Sequence, residues 1–206
     1  MERLLRIAPW GPGDAPVSEV DEQRLVGGLR QGAPWATAAL VDRHGTYLRR
    51  VLIRVLGADD REHQDLLQEV FTRALEGIGR LSEASALKAW LTNIAVFTAR
   101  EAIRKRRRRR WLSFMADVPE PEPTQSWAGP DLREAAGCVY RIFERMPADE
   151  RIPFALRMLH GMDLVETAVA CGMSVATVRR RMARAEQRFY KLARQYEALT
   201  PWWEDR

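Results

Sequence analysis

Apolar positions recur every three or four residues along much of the chain, and this period predicts α-helices rather than strands. The clearest case is HQDLLQEVFTRALEGI. Its apolar side chains fall on one helical face: Leu67, Val70, Phe71, Ala74, Leu75 and Ile78. The same period predicts helices over residues 19–31 and, starting at Pro34, up to Gly57, because proline is tolerated in a first helical turn. No alternating apolar and polar run predicts a sheet. We therefore predict an all-α domain over residues 19–111.

The stretch 86–111, ALKAWLTNIAVFTAREAIRKRRRRRW, is predicted to be one helix that ends in seven consecutive basic residues. One stripe of its helical wheel is largely apolar and predicts a buried face: Leu87, Leu91, Ile94 and Thr98. Asn93, Arg100 and Arg104 share a second stripe, which we expect to face outward. Trp90 and Phe97 lie on the border between the stripes. Cations that follow phosphates and rings that stack on bases suit single-stranded nucleic acid. Aromatic residues at this spacing are also common in protein cores, so both interpretations stay open.

The composition changes at DVPEPEPTQSWAGP, residues 117–130, which hold four prolines and three acids. Proline removes a backbone donor and disfavours a helix before it, so residues 112–131 are predicted to be a linker. A second helical domain is predicted over residues 132–198, and its first helix over 132–146. Residues 1–18, rich in proline and glycine, are expected to be a poorly ordered leader.

The second domain contains two short predicted helices around a glycine turn. Leu164, Val165, Ala168 and Val169 are the apolar positions of the first helix. Gly172 suits a positive φ in the turn, and Ser174 is a favourable N-cap for the second helix. Val175, Val178 and Met182 are expected to pack inward. The remaining side chains point outward and are mostly basic: Ala176, Thr177, Arg179, Arg180, Arg181 and Arg184. This pattern is typical of a DNA-binding helix-turn-helix, although an ordinary helical hairpin has the same spacing.

The charge of the chain points to a polyanionic partner. The 206 residues carry a net charge of +5, with a pI near 9.7. Against this background the outer face of the helix around residues 65–76 is acidic. It is a candidate docking surface for a basic protein, or an ordinary solvated face.

Several functional classes are not expected from the sequence. The two cysteines form no disulfide framework and fit a reducing cytoplasm, and no segment approaches the roughly 20 apolar residues of a membrane span. The three histidines are scattered, and no carboxylate cluster has metal-ligand spacing. We therefore expect a cytoplasmic protein that is not an enzyme and has no metal, cofactor or small-molecule substrate.

Two blocks of the chain resemble the extracytoplasmic-function sigma factors, the small two-domain class of the bacterial sigma-70 family. QDLLQEVFTRAL followed by AWLTNIAVFTAREAIRKRRR is similar to region 2 of the family, and MPADERIPFALRMLHGMDLVETAVACGMSVATVRRRMARAEQRF is similar to region 4. The resemblance implies an RNA polymerase sigma factor that directs promoter-specific transcription initiation. Residues 19–111 would be region 2 and residues 132–198 region 4. The alternative is a stand-alone dimeric helix-turn-helix transcriptional regulator.

The resemblance also implies partners and site residues. The acidic face would dock on the β′ clamp helices of core RNA polymerase through Asp65, Gln68, Glu69 and Phe71. The −10 promoter element would be captured and melted by Ser82, Glu83, Ser85, Asn93, Phe97, Arg100, Arg104, Lys105, Arg106 and Arg107. The −35 element would be bound by Ser174, Val175, Ala176, Thr177, Arg179, Arg180, Arg181 and Arg184. Region 4 would also contact the β flap, and an anti-sigma factor, often membrane-bound in this family, is an expected partner.

Some positions depart from the family pattern. Phe97 stands where the family commonly has Asn, so it can stack on a base but cannot read its edge by hydrogen bonds. Ala176 replaces a common Gly and Arg180 a common Ser, so we expect a different −35 sequence. The tail, residues 199–206, contains Trp202 and Trp203, which are either a packing anchor or a partner contact.

Overall fold

The computed structural model describes residues 19–57, 60–112 and 130–202, and within these ranges every regular element is a helix. The predicted all-α fold class is confirmed. The α-helices are α1 (Glu19–Arg30), α2 (Pro34–Leu56), α3 (Asp60–Gly77), α4 (Leu87–Leu112), α5 (Pro130–Glu144), α6 (Ala148–Met158), α7 (Leu164–Cys171) and α8 (Val175–Ala193). Short 3₁₀ helices cover Ile78–Arg80, Ala84–Ala86 and Glu197–Trp202. The predicted leader, most of the predicted linker and Trp203 lie outside the described residues.

Helices α2 and α3 pack against the apolar stripe of α4, as the helical period predicted, and α1 packs against α2 and the short 3₁₀ helices. Leu87 and Leu91 are fully buried, Thr98 is buried with them, and Ile94 is partly buried. Trp90 packs against the core, where the missing side chain of Gly77 leaves room for its ring. Leu75 was expected on the buried face of α3. This prediction is wrong, because the Leu75 side chain is exposed.

Helices α5, α6 and α8 share a core of aromatic side chains. The rings of Phe143, Phe154 and Phe189 contact one another, with centroid distances of 5.9 Å from Phe143 to Phe154, 5.3 Å from Phe154 to Phe189 and 6.3 Å from Phe143 to Phe189. The residues of the 3₁₀ tail add to this part of the molecule through Leu199, which is fully buried. Among the described residues, no helix combines the length and apolar character needed to cross a membrane.

Local chemistry explains the tight turn between α7 and α8. Asp163 caps α7, since its carboxylate accepts from the Val165 and Glu166 amides at 2.7 and 2.8 Å, and the Glu166 side chain accepts from the Asp163 amide. Gly172 ends the helix in the left-handed region with φ of 62°. Ser174 caps α8 by accepting from the Thr177 amide at 3.2 Å. The predicted glycine turn and serine cap are confirmed.

The apolar side chains of α7 are not all buried. Val165 and Val169 are 61% and 54% exposed. The helix instead buries the side chains of Thr167, Ala168, Ala170 and Cys171. The reason is that α7 is covered from two sides, by α6 and α8 and also by α4. Small side chains let these backbones approach closely, so they occupy the covered faces.

Candidate nucleic-acid interface

The polar stripe of α4 does not face solvent along its whole length. The side-chain amide of Asn93 donates to the carbonyl oxygens of Val169 and Ala170, both at 3.3 Å. Arg100 Nη2 donates to the carbonyl oxygen of Cys171 at 3.3 Å. The prediction that Asn93 and Arg100 are directed to the outside is therefore wrong, because the C-terminal turn of α7 lies across this part of α4.

Asp149, in the first turn of α6, lies between two candidate DNA-binding arginines. Its carboxylate is 3.7 Å from Arg100 Nε and 3.0 Å from Arg181 Nη1. Arg181 also donates to the Asp149 carbonyl oxygen at 3.3 Å. That oxygen is available because Pro153, four residues later, has no amide hydrogen to donate to it. Asp149 thus connects α4, α6 and α8.

Phe97 is separated from the buried stripe and is 49% exposed. The guanidinium of Arg73 lies over its ring, 5.2 Å from the centroid. Arg73 is held by Glu69 at 2.7 Å and by Glu101 at 2.6 Å. A half-exposed ring with a cation fixed above it offers a stacking surface next to a positive charge.

The basic run at the end of α4 is mostly exposed, and its one described exception is Arg106. Arg104, Lys105 and Arg107 are exposed. Arg106 instead donates through Nε to Glu62 at 2.8 Å and through Nη1 to the Leu56 carbonyl oxygen at 3.2 Å. It ties the end of α4 to α2 and α3, so its guanidinium is committed to the fold.

The segment before α4 presents polar side chains to solvent. Ser82, Glu83 and Ser85 are all exposed. Leu81, just before them, is buried, and its carbonyl oxygen accepts from the guanidinium of Arg30. The start of this segment is thus fixed to the rest of the fold.

The candidate docking residues of α3 fall into two groups. Asp65, Gln68 and Glu69 are exposed, whereas Phe71 is buried. Phe71 was expected to belong to the docking surface, but its ring packs on the side of α2 near Gly45. It can support the surface but cannot offer its ring to a partner.

The candidate −35 residues of α8 also separate by environment. Arg179, Arg180 and Arg184 are exposed, as is Ala176. Ser174 and Thr177 are joined by their hydroxyls at 2.9 Å and take part in the N-cap. Val175 and Arg181 are partly buried. Arg179, Arg180 and Arg184 are therefore the exposed cations among the candidate −35 residues of α8.

A further set of polar contacts, which the sequence did not predict, joins α2 to α6 and to the turn that follows α6. Arg54 Nη1 shares a hydrogen bond with His160 Nδ1 at 2.7 Å, and the ring of Tyr47 meets that of His160 edge-on at 5.3 Å. Burial, and then the charge of Arg54, lower the pKa of His160 to about 3. Arg151, also buried, donates to the Val55 carbonyl oxygen at 2.7 Å. These pairs are about a hundred positions apart, so no sequence spacing could reveal them.

Among the residues that the structure describes, no group of three or more histidines, cysteines and carboxylates could hold a metal ion. Cys138 and Cys171 are buried there, and burial raises the pKa of Cys171 to about 11. A thiol with this pKa stays protonated and is a poor nucleophile.

Two family models and several known proteins match this chain. The model of Sigma-70 region 2 matches residues 40–109, and that of Sigma-70, region 4 matches residues 136–189. RNA polymerase sigma factor NccH of Alcaligenes xylosoxydans xylosoxydans is 26% identical over 175 residues, which span 83% of this chain and 94% of the relative. The ECF RNA polymerase sigma-E factor of Escherichia coli K12 is 29% identical over 181 residues, 82% of this chain and 92% of the relative.

Solved structures with the same fold include sigma factors. CnrH in complex with the cytosolic domain of CnrY has a TM-score of 0.57 at 23% identity, covering 83% of this chain and 96% of that chain. The sigma factor RpoE of Bartonella quintana, in complex with the anti-sigma factor NepR, has a TM-score of 0.55 at 21% identity, covering 86% and 98%. Two successive regions of one family together match more than half of this chain, in the family's order. The chain therefore belongs to the sigma-70 family of RNA polymerase sigma factors, in its extracytoplasmic-function class.

Proposed function

We propose that this sigma factor uses three separate surfaces to direct core RNA polymerase to its promoters. Residues 19–111 act as region 2 and residues 132–198 as region 4. The observation that carries the proposal is the pair of helices α7 and α8 with their capped turn. Arg179, Arg180 and Arg184 of α8 extend into solvent. A recognition helix with exposed arginines at its start can reach guanine edges and phosphates in a major groove.

The −10 element is the second DNA target, and Phe97 is the central protein residue that we propose to bind it. Its exposed ring stacks on an unpaired base, which contributes on the order of 1–3 kcal/mol. Arg73 lies over the same ring at 5.2 Å, so a base must either displace it or stack beside it. The exposed cations Arg104, Lys105 and Arg107 follow the adjoining phosphates. Asn93 and Arg100 can bind DNA only when α7 moves away from α4, since they donate to its carbonyl oxygens. Arg106 does not bind DNA in this proposal but stabilises the end of α4.

Exposed acidic and polar side chains of α3 form the third surface. Asp65, Gln68 and Glu69 face solvent on one side of the helix and dock on the β′ clamp helices of the polymerase. Electrostatic complementarity of this kind accelerates association and fixes orientation. Region 4 completes the attachment by contacting the β flap.

Regulation and location follow from the same family context. The solved structures of CnrH and of RpoE each hold a further protein, the cytosolic domain of CnrY and the anti-sigma factor NepR. We infer that an anti-sigma factor also binds this chain, and that the chain acts in the cytoplasm. We further infer that it has no catalytic step of its own and acts through binding alone.

Reconstitution with core RNA polymerase tests the proposed function. The purified chain should co-elute with core polymerase and start transcripts at discrete sites on genomic DNA of its host, located by sequencing their 5′ ends. Arg179→Ala combined with Arg180→Ala should retain co-elution but lose most of these transcripts. A chain that neither co-elutes nor starts transcripts would refute the proposal. Binding of a palindromic duplex as a dimer, without polymerase, would support the stand-alone regulator instead.

A further inference from the structure

An arginine from another helix covers one face of the Phe97 ring. Arg73 belongs to α3, and its guanidinium lies over the ring of Phe97 in α4, 5.2 Å from the centroid. The ring is 49% exposed, whereas the Arg73 side chain is 30% exposed. One face of the ring thus meets a cation of the protein, and the exposed part of the ring is what an unpaired base can reach.

Two carboxylates from different helices hold this guanidinium. Arg73 Nε lies 2.7 Å from Glu69 Oε1, and Arg73 Nη2 lies 2.6 Å from Glu101 Oε2. Glu101 is four positions after Phe97, so the carboxylate and the ring that Arg73 meets on α4 lie one helical turn apart. Burial lowers the pKa of Arg73, but the hydrogen bonds to Glu69 and Glu101 outweigh burial and raise the pKa overall. The guanidinium is therefore a fixed cation.

The remaining nitrogen of the guanidinium fits the same arrangement. Among the residues that the structure describes, Arg73 Nη1 is buried and has no hydrogen-bond partner. A buried donor without an acceptor destabilises the fold. The Phe97 ring, over which the guanidinium lies, offers its π electrons as a weak acceptor. With two nitrogens on carboxylates and an aromatic face against its plane, the rigid guanidinium cannot turn without losing contacts.

A base can reach Phe97 from two sides, and the contacts of Arg73 favour one of them. Stacking on the covered face requires that Arg73 leave the ring, which breaks two charge-assisted hydrogen bonds and a cation–π contact. Stacking on the opposite face leaves all three contacts intact. The same contacts hold the ring in one orientation, and a ring held in this way loses less conformational entropy when a base stacks on it.

We propose that Arg73 is a positioning residue for −10 recognition: clamped between Glu69 and Glu101, it holds the Phe97 ring in one orientation and leaves the opposite face to an unpaired base. The inference rests on the proposed stacking role of Phe97. It adds α3 to the elements that form the −10 surface, although Arg73 itself does not contact the DNA. Both carboxylates are 48% exposed, so water screens their charge and the clamp acts through geometry.

Arg73→Met tests this role, because methionine keeps an unbranched apolar side chain beside the ring but has no charge and no donors. Arg24→Met is the matched control. Arg24 of α1 lies 5.6 Å from the centroid of Trp35, a ring that is 50% exposed, so this variant removes the same charge from the same kind of contact outside the proposed −10 surface. Circular dichroism checks that both variants are folded, and Arg73→Gln replaces Arg73→Met if the latter is not.

Two measurements on the reconstituted holoenzyme separate DNA opening from polymerase docking. The DNA is the promoter fragment from which the parent chain starts most transcripts. Permanganate reactivity of its unpaired thymines measures the open complex, and titration with core polymerase measures docking. We expect Arg73→Met to lower the equilibrium constant for open-complex formation about fivefold relative to Arg24→Met, with docking as in the parent chain.

A double-mutant cycle shows whether Arg73 acts through the ring. In a Phe97→Ala background, Arg73→Met should cause no further loss of open complexes, because the ring that Arg73 positions is gone. A fivefold loss that persists in this background would overturn the inference, since Arg73 would then act on the DNA or on the fold by another route. A loss of docking as large as the loss of open complexes would overturn it as well, because Arg73 would then act through the docking surface.

Phe97→Ala by itself separates this inference from the proposed function. A chain that loses open complexes with Phe97→Ala but not with Arg73→Met has the stacking ring without the positioning residue. A chain in which Phe97→Ala has no effect has neither of them, although it still acts as a sigma factor if it starts transcripts. A chain that starts no transcripts refutes the proposed function itself.

Discussion

The contact between Arg54 and His160 should make the stability of the chain depend on pH. In the folded chain the Nδ1 atom of His160 lies 2.7 Å from Arg54 Nη1, so the imidazole must be neutral to accept that hydrogen bond. Burial and the neighbouring cation lower the pKa of His160 from an ordinary value of 6.5 to about 3. Between these values the unfolded chain binds a proton that the folded chain does not.

The size of the effect follows from the two pKa values. The free energy of unfolding is highest above pH 6.5 and falls as the pH drops toward 3, because protons favour the unfolded chain in this window. One pKa unit corresponds to about 1.36 kcal/mol. At pH 5, about one and a half units below the ordinary value, His160 should therefore cost about 2 kcal/mol of stability relative to pH 7.5.

His160→Gln isolates this contribution, since glutamine can accept from Arg54 but does not titrate. Urea unfolding of the parent chain and the variant, followed by circular dichroism at pH 7.5 and pH 5, measures the difference in unfolding free energy at each pH. The other titrating groups are common to both proteins and cancel in this comparison. We expect the parent chain to lose about 2 kcal/mol more than His160→Gln between the two pH values. Equal losses in both proteins would show that the His160 pKa is not lowered and that this contact is open in solution.

Three further predictions concern the surfaces and the cap. Phe97→Ala should weaken open-complex formation with core polymerase by on the order of 1–3 kcal/mol while leaving initial polymerase binding unchanged. Phe97→Trp should retain open-complex formation. Equal loss in both assays for Phe97→Ala would contradict stacking. Arg180→Ala should weaken −35 recognition by about 1–3 kcal/mol in competition footprinting of the holoenzyme, and unchanged promoter selection would exclude this arginine from DNA contact. Asp163→Ala removes the cap of α7 and should lower the free energy of unfolding by about 1 kcal/mol, whereas Asp163→Ser should retain most of that stability. Urea unfolding measures the free energy for both variants. An unchanged value for Asp163→Ala would mean that the cap does not stabilise the fold.

Short-range features of the fold could be predicted from the sequence. Gly172 is in the left-handed conformation and Ser174 caps α8, as their positions indicated. The buried stripe of α4 was also predictable, since Leu87 and Leu91 recur with the helical period. Each of these depends on neighbours within about one or two turns, which a sequence pattern records directly.

The candidate sites were less predictable, because a helical wheel places a residue on a face but does not say what covers that face. Phe71 was expected at a docking surface and is buried, whereas Leu75 was expected on a buried face and is exposed. Arg106 belongs to a basic run, yet it binds Glu62 instead of facing solvent. In each case the deciding neighbour is another helix.

The sequence by itself determined the helices, the turn of the helix-turn-helix, the exposed arginines at the start of α8 and the family resemblance. The tertiary structure alone decided that α7 lies across α4, so that Asn93 and Arg100 meet its carbonyl groups. It also decided that His160 meets Arg54. The physical reason is distance along the chain. Helices form from interactions across three or four residues, whereas these contacts join groups more than 70 positions apart, which only the packing of complete helices brings together.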